Sequence, residues 1–388
     1  MDAFLERDIE GLNLDRSDWQ LVKFGDVAIQ QKQTVDRENT DLTRYVKGEH
    51  MYSEDLHLRE WGELKDEYLG PAFIRKFEEG DILYGSRRTY LRKVVIAPFD
   101  GITSNTTFVI KANEERVDKR LLPFIMLSEG FSQHSIRNSK GSVNPYVNWK
   151  DLSGYEFLLP PKEQQAELAE LLWAMDEVVE KAERVSRVLP DSVASIFKEA
   201  ISESQEDVAL IEVGEIITGS TPLTNNTDFW ENGTIPFVTP AEFNEAPYIE
   251  DAERTITRSG LDAVRAIPKD AVLVVSIGAT IGKVAITKST CATNQQINAV
   301  VVGDNYSPIY VMLALRFFKQ RILARAGATT LPIINKGEFS KVRIPNISPA
   351  KSAVLDSRFA ELERASILNN TMSQKTKTLQ KSLTNQVF

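Results

Sequence analysis

Two stretches of this chain place apolar residues at alternating spacings of four and three. The first runs Leu168, Leu172, Met175, Val179 and Ala182, passes through Ser186, and continues with Leu189, Val193, Ile196 and Ala200. The second runs Leu355, Phe359, Leu362, Ala365, Leu368, Met372, Thr376, Leu379 and Leu383, with one shift of register near Ala365. A period of 3.5 belongs to a coiled-coil seam rather than to a helix lying on a broad core. Long helices are therefore expected over 161–206 and 346–388. About 40 residues at a 1.5 Å rise make a rod of roughly 60 Å, and each buried Leu, Val or Met contributes roughly 1.5–3 kcal/mol. Pro190 has no backbone N–H to donate, which predicts a kink or short break there.

The rest of the chain carries a shorter period. Asp81–Gly85, Lys93–Ala97, Thr107–Lys111, Ala271–Ser276, Lys283–Thr287 and Ile297–Val302 are β-branched runs bounded by turn residues, and they read as strands. Leu121–Glu129 and Tyr310–Arg325 read as helices. These elements form two sets displaced by roughly 190 positions. Lys93–Ile96 is echoed by Lys283–Ile286, and Gly80–Leu83 by Asp270–Leu273. Ser104-Asn105 answers to Thr293-Asn294, and Pro145–Asn148 to Pro332–Asn335. The expected fold is α/β (mixed α+β): two similar domains, 1–160 and 207–345, related by a pseudo-two-fold and separated by two long antiparallel coiled-coil helices. Two-fold symmetry between the copies is what requires the helices to run antiparallel.

Charge sharpens this picture. The net charge is −9, which argues against a nucleic-acid partner until its distribution is considered. Between Arg254 and Arg343 there are 13 Lys/Arg against four Asp/Glu, and between Pro71 and Lys150 there are 13 against eight. Both repeat bodies are basic, while acid is concentrated in the first seventy residues and in the first long helix. One cysteine, Cys291, and three histidines, His50, His57 and His134, leave no zinc-ligand spacing. No apolar run approaches the ~20 residues of a membrane span, and the charged start of the chain is unlike a signal peptide. A cytoplasmic location, no membrane and no metal are expected.

Several landmarks carry a resemblance. The second copy has Gly219–Pro222, Phe229-Trp230, Gly233–Thr239, Asn294–Gln296 and Gly327–Asn335; the first has Tyr45–Gly48, Phe99–Ser104 and Pro160–Gln164. In this order, with the two helices in place, the chain resembles the specificity (S) subunits of Type I restriction-modification systems. Phe237 stands where Trp is common, Ser348–Lys351 replaces a Glu-Gln pair, and Gln30–Gln33 lies where the first copy would carry a Gly-x-Thr-Pro turn. The two domains thus resemble different sub-classes of target recognition domain. The resemblance implies a non-catalytic DNA-binding subunit that reads double-stranded DNA as a bipartite asymmetric site. It also implies recruitment of two adenine-N6 methyltransferase subunits and, through them, restriction subunits, with no cofactor of its own.

The residues agree with the lack of chemistry. A self-contained amino-methyltransferase needs an Asn/Asp-Pro-Pro-aromatic loop; Asn144-Pro145-Tyr146 is one proline short and is matched by Leu331-Pro332-Ile333, so a repeated turn explains it better. Gly278–Val284 is one residue short of a phosphate loop and ends without the magnesium-binding hydroxyl. Glu63-Leu64-Lys65 lacks a nearby Pro-Asp partner for nuclease work. A coiled-coil scaffold binding only proteins is the other alternative, and it leaves the basic loops unexplained. The loops Ser86–Lys93 and Ser276–Lys283 hold the same place in the two copies and differ in side chain. Arginine and lysine suit guanine or phosphate, and asparagine suits adenine. The DNA-reading candidates in the first domain are Arg87, Arg88, Tyr90, Arg92, Lys93, Lys140, Asn144, Tyr146 and Asn148. In the second they are Thr221, Thr239, Thr280, Lys283, Arg325, Thr329, Thr330 and Lys336. Asn294 and Gln295 are expected to be internal amides that hold the fold.

Overall fold

The computed structural model describes residues 15–36, 39–66, 68–327 and 332–388. It divides into two compact units: residues 1–184 with 370–388, and residues 185–369. Each unit thus contains one stretch of each long helix.

In the first unit, Gln20–Lys23 pairs antiparallel with Glu156–Leu159 and closes the module at its base. Above it, Ala28–Gln31, Thr107–Ala112, Ile82–Gly85 and Val94–Ile96 form an antiparallel four-stranded sheet in that order. A second sheet is ordered Gly62–Glu63, Arg44–Val46, Gly101–Ser104 and Phe73–Phe77, with the central pair parallel. The core joins the sheet residues Tyr84, Val94 and Ile110 to Phe24, Phe124 and Phe131, and to Leu168, Leu172, Leu383 and Val387 of the long helices. The helices are therefore part of the module's core.

The second unit repeats this plan. Asp207–Ala209 pairs with Arg343–Pro345, and the main sheet is ordered Gly214–Thr218, Ile297–Val302, Val272–Val275, Val284–Thr287 and Tyr248–Ile249. The smaller sheet is Thr255–Ile256, Ile235–Val238 and Ala292–Thr293. Phe197, Tyr310 and Phe339 fill the core beside Ile196, Leu355 and Phe359. The likeness extends to single hydrogen bonds: Asn113 N–H donates to Val27 O and Gly303 N–H to Val213 O, while Gly80 N–H donates to Ala97 O and Asp270 N–H to Thr287 O. Gly80 and Asp270 both carry positive φ, 86° and 65°.

The six predicted strands are present within a residue of their expected ends. The expected helix Leu121–Glu129 is present as Leu122–Leu127 and is followed by a second, unexpected one, Glu129–Arg137, while Tyr310–Arg325 is two helices, Pro308–Phe317 then Lys319–Leu323. In the first copy Ser128, extended at ψ 152°, ends one helix and caps the next by accepting from Phe131 N–H; a hydroxyl that competes for backbone partners favours such a junction.

The long helices span Lys162–Ile201 and Pro349–Val387. Of the kink or short break expected at Pro190, the break does not occur; the proline sits inside a continuous helix and is exposed, where water can replace the lost hydrogen bond. In the first unit Leu172 faces Gln380 and Glu183 faces Lys377; in the second Ser186 faces Asn369 and Glu199 faces Arg358. Within each unit the two stretches run antiparallel.

The seam of the second helix differs from the one its apolar residues suggest. Ser352, Leu355, Phe359, Leu362, Ser366, Asn369, Ser373, Thr376, Gln380, Leu383 and Val387 are buried or half-buried, a 3–4 alternation without a register shift. Leu368 and Met372 are 70% and 49% exposed. Polar side chains occupy the middle of the seam because they are partnered: Asn369 Nδ2 donates to Ser186 Oγ at 3.0 Å, and Gln380 Nε2 to Leu172 O at 3.0 Å. Such residues fix register at some cost in stability.

Candidate nucleic-acid interface

Ser86–Lys93 leaves the edge of the main sheet of the first unit and returns to it, with Gly85 N–H donating to Lys93 O at 3.0 Å. Between these points Arg88 and Arg92 both adopt left-handed backbone, at φ 49° and 48°, around the short turn Thr89–Leu91. A side chain in that region costs roughly 1–2 kcal/mol. The equivalent positions in the second unit are glycines, Gly278 at φ 91° and Gly282 at φ 80°. Arg88 N–H donates to Pro145 O at 2.6 Å, and Gly278 N–H to Pro332 O at 3.0 Å. Ser86 O accepts from Val147 N–H as Ser276 O accepts from Ile334 N–H. The motif at Asn144-Pro145-Tyr146 is thus a turn repeated in both units.

This framework gathers most of the first-unit candidates. Tyr146 bridges to both Arg87 and Lys140, and Arg87, Arg88, Tyr90, Lys140, Asn144, Tyr146 and Asn148 are all exposed. Lys140 Nζ and Asn148 Nδ2 both reach Asp151, at 3.1 and 3.2 Å. Two candidates are committed elsewhere. Arg92 binds Glu54 at 2.9 Å and Glu129 at 2.6 Å, and Lys93 Nζ donates to Gly48 O at 2.5 Å. Burial, with the nearby charge of Arg88, holds the Lys93 amine below its ordinary pKa. These two shape the turn, and we assign the exposed arginines to its outer surface. Val143, 89% exposed at the tip of the adjoining loop, was not among the sequence candidates, since a single valine between polar residues gives no periodic signal.

The second-unit candidates do not converge in the same way. Thr239 is used as a helix cap: its N–H and Oγ reach Glu242 at 2.7 and 2.8 Å. Lys283 Nζ donates to Phe243 O at 2.8 Å, and a strand rather than a helix follows it, which removes the phosphate-loop geometry. Arg325 pairs with Glu338 at 3.0 Å, Lys336 is exposed and Thr280 half-buried. Thr329 and Thr330 lie outside the described residues. Thr221 Oγ donates to Gln295 Oε1 at 3.0 Å. Gln295 is exposed, which corrects its expected internal place. Asn294 Oδ1 accepts from Gln296 N–H at 3.0 Å and does hold its turn.

Sequence reasoning also missed the supports of this second surface. Arg265 donates to Thr218 O and Gly219 O at 2.6 and 2.8 Å, fixing the Gly219–Pro222 turn. A Cβ on Gly219 would overlap Asn294 O and Thr293, so only glycine lets the two turns meet. Phe237 packs edge-on against Trp230 at 5.1 Å, and Arg254 lies over the Trp230 ring at 4.0 Å. Among the described residues there is no cluster of metal-ligating side chains, and no helix is long and apolar enough to cross a membrane.

Known proteins bear directly on this arrangement. The chain is 21% identical over 428 residues to the Type I restriction enzyme HindI specificity subunit of Haemophilus influenzae, covering 87% of this chain and 91% of that one. Its fold is similar to that of the Type I restriction-modification S subunit from M. genitalium, with TM-score 0.64, 12% identity and coverage of 96% and 97%. It is also similar to a chain from a structure describing complex assembly and conformational transition of the type I R-M system, with TM-score 0.58, 18% identity and coverage of 95% and 97%. The model of the Type I restriction modification DNA specificity domain matches twice, over residues 16–186 and 203–351. With two such domains covering most of its length, the chain belongs to the family of Type I restriction-modification specificity subunits, the non-catalytic DNA-recognition components of those systems.

Proposed function

We propose that the chain reads a split, asymmetric double-stranded DNA site, one half-site per unit, and carries two adenine-N6 methyltransferase subunits with restriction subunits joined through them. The observation that supports this most directly is the repeated turn. Arg88 and Gly278 both have positive φ and both donate a hydrogen bond to a proline carbonyl, yet one presents a cation and the other no side chain. A scaffold that repeats its backbone and varies its exposed side chains is suited to reading two different words. The reading takes 1–160 and 207–345 as the recognition domains and 161–206 and 346–388 as helical spacers that fix the half-site gap, as protein geometry does for dimeric readers.

The energetics favour two readers. A wrong base pair costs roughly 1–3 kcal/mol, and a genome-scale reader needs about 4–10 kcal/mol of discrimination, which two modules reach together. The acidic balance of the whole chain leaves much of the non-specific phosphate affinity to partners. In the second unit, Val188, Ile367 and Leu368 stand exposed on the helices, apolar surface of the kind a protein partner covers. Mapping methylated adenines in the source genome tests the reading: a split motif of two unlike halves is expected, and a continuous palindrome would sink it.

A further inference from the structure

Arg88 is the residue whose conformation the fold alone does not explain. Its backbone is left-handed, which disfavours any side chain with a Cβ, and the same turn in the second unit is made by Gly278 with the same hydrogen bond. Glycine would therefore serve the turn better. Arg92, strained in the same way, has a structural reason: it is held by Glu54 and Glu129. Arg88 has none, since its side chain is exposed and among the described residues no carboxylate or carbonyl receives its guanidinium. A strained position kept for an unpartnered side chain points to a ligand for that side chain.

The neighbours narrow the ligand. Arg87, Lys140, Asn144 and Tyr146 share this exposed surface, and a guanidinium fork matches the O6 and N7 acceptors of guanine in the major groove. At the equivalent turn the second unit presents Ile277 bridged to Ile333, with Gly278 and Ala279 between strands, and the cation that ends its loop, Lys283, is committed to Phe243 O at 2.8 Å. We infer that Arg88 is a specificity-determining residue that reads a guanine in one half-site, and that the other half-site has no guanine contact at the corresponding turn. This rests on the two-half-site reading above.

The test is selection from randomised duplex DNA by the full chain assembled with its methyltransferase subunits, for wild type, Arg88→Gly and Arg88→Lys. Because Gly278 already makes this turn, Arg88→Gly is expected to fold, with an unchanged or raised melting temperature. Wild type should select a split motif, and Arg88→Gly the same motif with one guanine position relaxed in one half only. Affinity for the guanine-bearing duplex should fall about tenfold or more. Replacing that guanine by 7-deazaguanine should weaken wild type and leave Arg88→Gly unaffected. A uniform loss at all sequences, restored by Arg88→Lys, would show a phosphate contact and overturn the assignment, as would an unaltered motif. Absence of any split motif from wild type would remove the proposed function itself, a different failure from a split motif that ignores Arg88.

Discussion

His57 Nε2 lies 2.7 Å from Asp176 Oδ2, so an imidazole ties the loop that carries it to the long helix. Arg59 adds bonds to Glu180 and Glu183 beside it, and these groups line a cavity of about 350 Å³. The hydrogen bond that His57 donates to Asp176, with the charges of Asp176, Glu180 and Asp55, raises the His57 pKa above its usual 6.5, against the opposing effect of burial. A raised folded-state value means the stabilisation is present below the unfolded-state value and is lost as pH rises through the folded one. The unfolding temperature of the first unit should therefore fall as pH rises through and above the usual 6.5 of a histidine. His57→Gln should flatten that slope and cost about 1 kcal/mol at the acid end, a modest figure for a half-exposed charge-assisted bond. An identical slope in the variant would refute the assignment.

The helical seam makes opposite demands on neighbouring residues. Leu368→Lys and Met372→Lys place charge on exposed positions and should change stability by no more than about 0.5 kcal/mol. Leu355→Ala and Leu383→Ala, both buried, should cost about 2–5 kcal/mol each. Denaturant melts of the four variants separate this register from one that follows the apolar residues, in which Leu368 would be as sensitive as Leu355.

Gly219→Ala should disturb the second unit locally. Its Cβ would meet backbone at Asn294, which cannot retreat as a flexible side chain would, and overpacking of this kind costs roughly 1–3 kcal/mol. Methylation assays on the assembled complex should show weakened recognition in one half-site; a variant with wild-type melting and wild-type methylation would contradict the close approach.

Arg316 is half-buried and donates to Val284 O, Glu245 O and Ala246 O at 2.6–3.1 Å, and burial lowers its pKa. Arg316→Met keeps much of the volume but leaves three carbonyls without this donor, so a loss of about 3 kcal/mol is expected. Arg316→Lys should recover only part of it, because one ammonium cannot reproduce the planar fork. Equal stability of the two variants in thermal melts would show that the fork geometry is immaterial.

How much of this was legible in the sequence depended on which force sets each feature. Strands such as Ile297–Val302 were readable because β-branched runs bounded by turn residues have few alternatives. The first helical seam was readable because Leu168, Leu172 and Val179 fill it with apolar side chains. The second was misread where Asn369, Ser373 and Gln380 hold the seam through partners distant in sequence, which periodicity cannot register. The interface divided in the same way. Arg87 and Arg88 stood out as cations in a variable loop, but Arg92 and Lys93 looked identical to them until Glu54, Glu129 and Gly48 were placed beside them. Gln295 was misjudged because an amide between buried strands gives no sign of which way its turn faces.

Residues 370–388 belong to the same unit as the residues before 185, and this sets an order of events during synthesis. Leu383 and Val387 complete the core around Phe124 and Phe131, and Phe388 meets Phe157 while its carbonyl accepts from Tyr155 Oη at 3.0 Å. The unit that emerges first from the ribosome is therefore closed last. Until then its apolar helix face waits uncovered while the second unit, made entirely of residues 185–369, is finished ahead of it.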